Sequence, residues 1–86
     1  MTYEIVGTKK NVNQLDAIKG IRKDVEDKLR RLTEDPRRES GAHMLKGRLH
    51  GLWSCWLTSK IRMIYEIDDE QALIKIVTIG GHEVYD

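Results

Sequence analysis

Apolar residues recur at every third or fourth position over a long stretch near the start of the chain, which is the spacing of an amphipathic helix. The positions that carry this pattern are Leu15, Ile18, Ile21, Val25, Leu29 and Leu32. We predict that the helix begins at Asn13, a suitable N-cap, and ends before Pro36, because the residue before a proline avoids the helical region. Gly20 is the point at which the stretch would divide into two helices, since glycine costs up to ~1 kcal/mol inside a helix.

The remainder of the chain carries the shorter patterns of β-strands. Residues 3–6 are rich in β-forming side chains, residues 37–51 read as a polar loop, and strands are predicted over residues 52–57, 61–67 and 73–79. The middle strand of these three alternates between two faces. One of its faces is formed by Ile61, Met63, Tyr65 and Ile67. The segments between the strands are short polar turns, so the three strands should form a meander.

These elements predict an α+β fold with the order β-α(α)-β-β-β. One or two N-terminal helices would pack on one face of a small, mostly antiparallel, twisted sheet. An antiparallel sheet covered on one side leaves its second face open to solvent. We therefore expect the functional residues to lie on that second face.

Composition restricts the class of protein. The 86 residues and 10.0 kDa are enough for one domain, predicted to span residues 1–86. No apolar run approaches the ~20 residues of a membrane span, and the first ten residues lack the apolar centre of a signal peptide. The single cysteine, Cys55, excludes an internal disulfide framework and a multi-cysteine zinc site. A cytoplasmic protein without a metal or cofactor is expected.

The net charge of +1 conceals a strong division along the chain. Residues 9–62 hold 14 of the 15 Lys and Arg residues against seven acids, a net charge of +7. Residues 63–86 hold one Lys against six acids, a net charge of −5. The basic part favours contact with a polyanion, and the acidic part favours a basic partner or simple solubility. Ordinary solvated helix and turn charges explain the same division.

Candidate chemistry lies in polar residues within or beside the predicted strands. Arg62 interrupts an apolar run, and His82 and Tyr85 follow the last strand. Further basic side chains occupy the loop before the predicted strand 52–57, namely His43, Lys46, Arg48 and His50. An arginine with nearby histidines is able to cleave RNA, because it stabilises charge on the phosphate while a histidine moves a proton. The alternative is a polar sheet face without chemistry, on which Arg62 pairs with Glu66.

Three blocks of sequence, at residues 45–54, 61–67 and 79–85, closely resemble the RelE/ParE superfamily of toxins from toxin–antitoxin pairs. The resemblance spans essentially the whole chain. It implies a toxin neutralised by a cognate antitoxin, often within a heterotetramer or a larger assembly. RelE- and YafQ-like members are ribosome-dependent messenger-RNA endonucleases, whereas ParE-like members poison DNA gyrase.

The resemblance also implies roles for individual residues. His43 and His82 resemble the two catalytic histidines of YafQ-like toxins, and Arg62 resembles the RelE-type arginine three residues before a tyrosine. Tyr85 resembles the C-terminal aromatic residue that stacks on or activates the scissile nucleotide. We expect four further basic side chains to bind the RNA backbone, namely Lys46, Arg48, Lys60 and His50.

The chain departs from the superfamily pattern at several positions, and the interval from His82 to Tyr85 is shorter than usual. Trp53, Cys55 and Trp56 stand where RelE-like proteins carry lysines and YafQ-like proteins a histidine, and Lys60 stands near the position of a YafQ-type acid. Three hypotheses follow. The first is a metal-independent mRNA endonuclease that acts in the ribosomal A site, the second a ParE-like gyrase inhibitor, and the third a non-toxic domain that still binds antitoxin.

Overall fold

The computed structural model describes residues 2–38 and 41–81. Within these residues, two helices and five strands follow one another. They are β1 (Glu4–Val6), α1 (Lys9–Ile21), α2 (Lys23–Glu34), β2 (His43–Met44), β3 (Trp53–Trp56), β4 (Arg62–Asp68) and β5 (Leu73–Gly80). The predicted α+β class is confirmed, with both helices packed on one face of the sheet. Neither helix among the described residues has the length and apolar character needed to cross a lipid bilayer.

The helical hairpin differs from the prediction at two boundaries, the start of α1 and the division between α1 and α2. α1 begins after Thr8, whose hydroxyl accepts a hydrogen bond of 3.2 Å from the backbone N–H of Asn11. The predicted cap, Asn13, lies inside the helix, because an equally good cap occurs five residues earlier. The helices separate at Arg22, which has the extended angles φ −122° and ψ 104°, and Gly20 remains in the last turn of α1. α2 ends before Pro36, as predicted.

The sheet has the strand order β1-β5-β4-β3-β2. β1 pairs with β5 in parallel, and every other neighbouring pair is antiparallel. The segment predicted to be a polar loop, residues 37–51, contains the edge strand β2 and a 3₁₀ turn at Gly47–Leu49. A strand of two exposed residues has no alternation to detect, so it is formed by pairing with β3 and not by its own pattern.

The core lies between the helices and the face of the sheet that carries Met63 and Tyr65. The alternation predicted for β4 is therefore confirmed on this face. Val25 and Leu32 of α2 are completely buried against it. The hydroxyl of Tyr65, buried in this core, donates a hydrogen bond of 2.6 Å to the carbonyl oxygen of Pro36. That bond ties the segment leaving α2 to the centre of the sheet.

The second face of the sheet is only partly open. Ile64 and Ser54 point away from the helices, since they alternate with core residues, yet each is 1% exposed. The surface available for function is therefore restricted to the rows of residues on either side of this buried pair.

An ion pair joins the segment after α2 to the acidic turn between β4 and β5. Both terminal nitrogens of Arg37 donate to the carboxylate of Asp69, at 3.1 and 2.7 Å, and the hydroxyl of Tyr3 donates to the same carboxylate. These hydrogen bonds hold the pKa of Asp69 below its usual value. The acidic turn thus has structural partners, consistent with an ordinary hairpin turn.

Candidate active site

Arg62 lies on the second face of the sheet, stacked on an aromatic ring. Register pairs Trp56 at the end of β3 with Arg62 at the start of β4, so both side chains project on the same side. The guanidinium carbon of Arg62 stands 3.6 Å from the centroid of the Trp56 ring. A cation over an indole face is attracted by the negative centre of the ring. Arg62 is therefore a half-buried cation held at a defined position.

A cavity of about 400 Å³ opens beside this pair, and Lys60 joins Arg62 in lining it together with Trp56 and Ser59. The position of Lys60 follows from the tight turn between β3 and β4. The hydroxyl of Thr58 accepts hydrogen bonds from the backbone N–H groups of Lys60 and Ile61, at 3.1 and 3.0 Å. Two cations on one shallow cavity suit an anionic group such as a phosphate.

His43 occupies β2, exposed, and its register with Ser54 places it on the same face as Arg62. The Nδ1 atom of His43 lies 3.2 Å from the carbonyl oxygen of Gly41. Because a carbonyl oxygen only accepts, Nδ1 must carry the proton of this hydrogen bond. In a neutral ring, Nε2 then bears the lone pair and is the atom able to accept a proton.

His43 and Arg62 lie on the same face of the sheet. His43 lies on β2 and Arg62 on β4, with β3 between them, and their partners on β3, Ser54 and Trp56, are two positions apart. Strand spacing and residue rise give ~12 Å between their Cα atoms. A substrate group lying between the two side chains would be reached from both sides.

The remaining basic candidates lie elsewhere. Lys46, Arg48 and His50 are exposed around the 3₁₀ turn, beyond the end of β3 that carries Trp53. Arg62 pairs with the opposite end of β3, so the length of that strand, ~10 Å, separates the two groups. The structure thus brings Lys60 to Arg62 but keeps the loop cations apart from it.

Two predicted site residues, His82 and Tyr85, lie outside the described residues. The last described strand, β5, ends at Gly80, and Gly80 pairs with Arg62. Their predicted roles remain predictions.

Cys55 takes no part in this site. It is 1% exposed on the core face, and burial raises the pKa of its thiol to about 12. Such a thiol is protonated at neutral pH and is not a nucleophile. Within residues 2–38 and 41–81, no three His, Cys, Asp or Glu side chains gather in a way that would hold a metal ion.

Sequence reasoning missed the contribution of Trp56 and Gly41. A methyl group added at Gly41, which has φ +68°, would lie 3.2 Å from Cδ1 of Trp56, so the glycine backbone rests against the indole. The signal for the Trp56–Arg62 pair was present in the chain. The two residues flank the connection between two predicted strands symmetrically, so a hairpin register would have paired them.

Solved structures of toxins share this fold. The RelBE2 toxin–antitoxin complex from Mycobacterium tuberculosis matches with a TM-score of 0.72 at 23% identity, covering 95% of this chain and 100% of that chain. The free E. coli toxin RelE, as a mutant, matches with a TM-score of 0.68 at 22% identity, covering 99% and 92%. The YoeB–YefM complex from Staphylococcus aureus matches with a TM-score of 0.69 at 20% identity, covering 95% and 99%.

The fold is thus that of the RelE/ParE superfamily of toxins, which confirms the resemblance found in the sequence. The family model described as the ParE toxin of type II toxin–antitoxin system, parDE, matches residues 5–84. The chain therefore belongs to the ParE toxin family. No curated protein is significantly similar to it in sequence.

Proposed function

We propose that this toxin inhibits translation by cutting messenger RNA in the ribosomal A site, without a metal ion. The observation that carries the proposal is Arg62, a permanent cation fixed on Trp56 at the mouth of a cavity that Lys60 also lines. A gyrase-binding protein needs no such cation on the same sheet face as a histidine base. RNA supplies its own nucleophile, the 2′-hydroxyl, so the protein needs only to move protons and stabilise charge.

The proposed reaction is in-line attack of the 2′-oxygen on the adjacent phosphorus. Nε2 of His43 takes the proton of the 2′-hydroxyl, since Nδ1 is occupied by the Gly41 carbonyl. The bond from phosphorus to the 5′-oxygen breaks, and His82 protonates the leaving oxygen. Arg62 stabilises the charge that accumulates on the phosphoryl oxygens. The products are a 2′,3′-cyclic phosphate and a free 5′-hydroxyl, with Tyr85 stacked beside the cut.

Backbone binding is assigned to cations at both ends of β3. Lys60 binds the phosphate next to the scissile one. The exposed loop cations Lys46, Arg48 and His50 bind the RNA backbone about 10 Å further along β3. Each phosphate contact to single-stranded RNA adds about −0.7 to the slope of log affinity against log salt. Affinity should consequently fall as salt rises.

A cognate antitoxin is the second part of the proposal. RelBE2 and YoeB–YefM are toxin–antitoxin complexes, and one YoeB–YefM complex is described as heterotetrameric. We expect a partner encoded with this chain to bind it in a comparable assembly and to block the site. Co-expression of the two proteins should restore growth that the toxin alone arrests.

Arg62→Ala tests the reaction. Removing one preorganised donor costs about 2–4 kcal/mol of transition-state stabilisation, so cleavage should slow roughly 30- to 900-fold. The measurement is primer extension on a message translated by purified ribosomes. Arg38→Ala removes an arginine that is exposed near the end of α2 and serves as the matched control. Parental cleavage by a folded Arg62→Ala protein would refute the assignment.

The ParE family model favours one other function, inhibition of DNA gyrase. The same purified toxin, added to a gyrase supercoiling reaction, decides between them. Intact message together with blocked supercoiling would establish the second function in place of the first.

A further inference from the structure

One row of residues crosses the second face of the sheet at the end where the candidate site lies. Register places Trp56 opposite Arg62 and Arg62 opposite Gly80. Gly41 continues the row on the other side of Trp56. A methyl group added at Gly41 would lie 3.2 Å from Cδ1 of the indole. Trp56 is therefore flanked by the Arg62 guanidinium and by the Gly41 backbone.

The same row reaches His43 through a hydrogen bond. The carbonyl oxygen of Gly41 accepts from Nδ1 of His43, at 3.2 Å. The left-handed φ of +68° favours a glycine at this position, and a side chain added here would press on the indole. One side chain thus contacts the cation of the proposed site and the peptide that orients its base.

We propose that Trp56 is a positioning residue that fixes Arg62 and His43 relative to each other. The inference rests on the proposed function, in which these two groups act on the same phosphate from ~12 Å apart. The sheet fixes the backbone spacing of these two residues, whereas a rigid side chain on the strand between them is needed to fix their side chains relative to each other. A planar indole with two rotatable bonds meets that requirement at little entropic cost.

Trp56 acts here through Arg62 and His43, and not on the substrate itself. Stacking holds the guanidinium against the indole, and both side chains line the cavity. Preorganisation of this kind matters for rate, because misplacement of a catalytic group by about 1 Å costs up to roughly 100-fold. It also explains why a tryptophan stands in a strand where a charged or polar side chain was expected.

The test compares Trp56→Phe, which keeps a ring, with Trp56→Leu, which keeps apolar bulk only. Nuclear magnetic resonance of the free toxin reports the stack directly, since the ring current shifts the Arg62 side-chain protons upfield. We expect this shift in the parent, a reduced shift with Phe and none with Leu. In message cleavage, Leu should lower kcat roughly 10- to 100-fold with little change in KM, and Phe should recover most of the loss.

Gly41→Ala and Gly47→Ala form a matched pair. Both glycines have left-handed angles, φ +68° and +71°, but a methyl group at Gly47 meets nothing within 4 Å. The backbone strain is shared, and only Gly41→Ala presses on Trp56. Gly41→Ala should therefore shift the Trp56, Arg62 and His43 resonances, whereas Gly47→Ala should leave them in place.

Two results would overturn the positioning role. One is a folded Trp56→Leu protein that cuts message at the parental kcat, while Arg62→Ala does not cut; this refutes the inference alone and leaves the proposed function standing. The other is a parent that shows the shifted Arg62 resonances but cuts no message on ribosomes. That result refutes the proposed function and removes the positioning role with it.

Discussion

Removing the hydroxyl of Tyr65 should destabilise the protein by breaking a buried side-chain hydrogen bond. In Tyr65→Phe the aromatic packing is retained, but the carbonyl of Pro36 loses the donor that lies 2.6 Å away. An intramolecular hydrogen bond contributes about 0.5–1.5 kcal/mol, and a buried acceptor left unpaired raises the cost to about 1–3 kcal/mol. We expect a loss of about 1–2 kcal/mol, between these two limits, because Pro36 is itself buried and its carbonyl loses this donor.

For a domain of this size, each kcal/mol corresponds to roughly 4–8 °C in Tm, so the melting temperature should fall by roughly 4–16 °C. Scanning calorimetry measures it. Tyr3→Phe removes an exposed hydroxyl that binds Asp69 and should cost less than about 0.5 kcal/mol. If Tyr65→Phe melts within 2 °C of the parent, ~0.5 kcal/mol or less, the bond does not anchor this segment.

Three further outcomes are expected. The Cys55 thiol, with its pKa raised to about 12, should react with a thiol reagent at pH 8 only after denaturant is added; rapid labelling of the native protein would show that the core opens. Asp69→Asn should lower stability at pH 7, because Arg37 holds the pKa of the Asp69 carboxyl below its usual value of 3.8, and this loss of stability should disappear as the pH falls below the lowered pKa. Glu70→Gln, in the same turn, should cost less stability, and equal losses for the two variants would contradict the ion-pair account. Leu32→Ala, fully buried, should cost about 2–5 kcal/mol in urea unfolding, whereas Ile21→Ala, 82% exposed, should cost almost nothing; similar values would refute the core assignment.

The elements that bury a face were predictable from the chain. α2 carries a strong three-four period because Val25, Leu29 and Leu32 enter the core, and β4 alternates because Met63 and Tyr65 do. Elements without a buried face were not. β2 contributes two exposed residues, and only its pairing with β3 defines it.

The candidate site shows the same division. Arg62 was identified because a cation inside an apolar strand is anomalous, and Lys60 because it is basic and next to that strand. The separation of Lys46, Arg48 and His50 from Arg62 depends on the direction of β3, which composition does not encode. In the sequence, Trp56 was visible only as a departure from a family pattern. The contact that suggests its role is made with Arg62 on the neighbouring strand.

The parallel pairing of β1 with β5 has a consequence for synthesis of the toxin. Glu4 and its partner Leu73 are 69 positions apart in the sequence. β5 lies between β1 and β4, so the sheet stays divided until β5 has left the ribosome. The row that ends at Gly80 is completed at the same moment. A nascent chain consequently lacks the neighbour of Arg62 on this side until residue 80 has emerged.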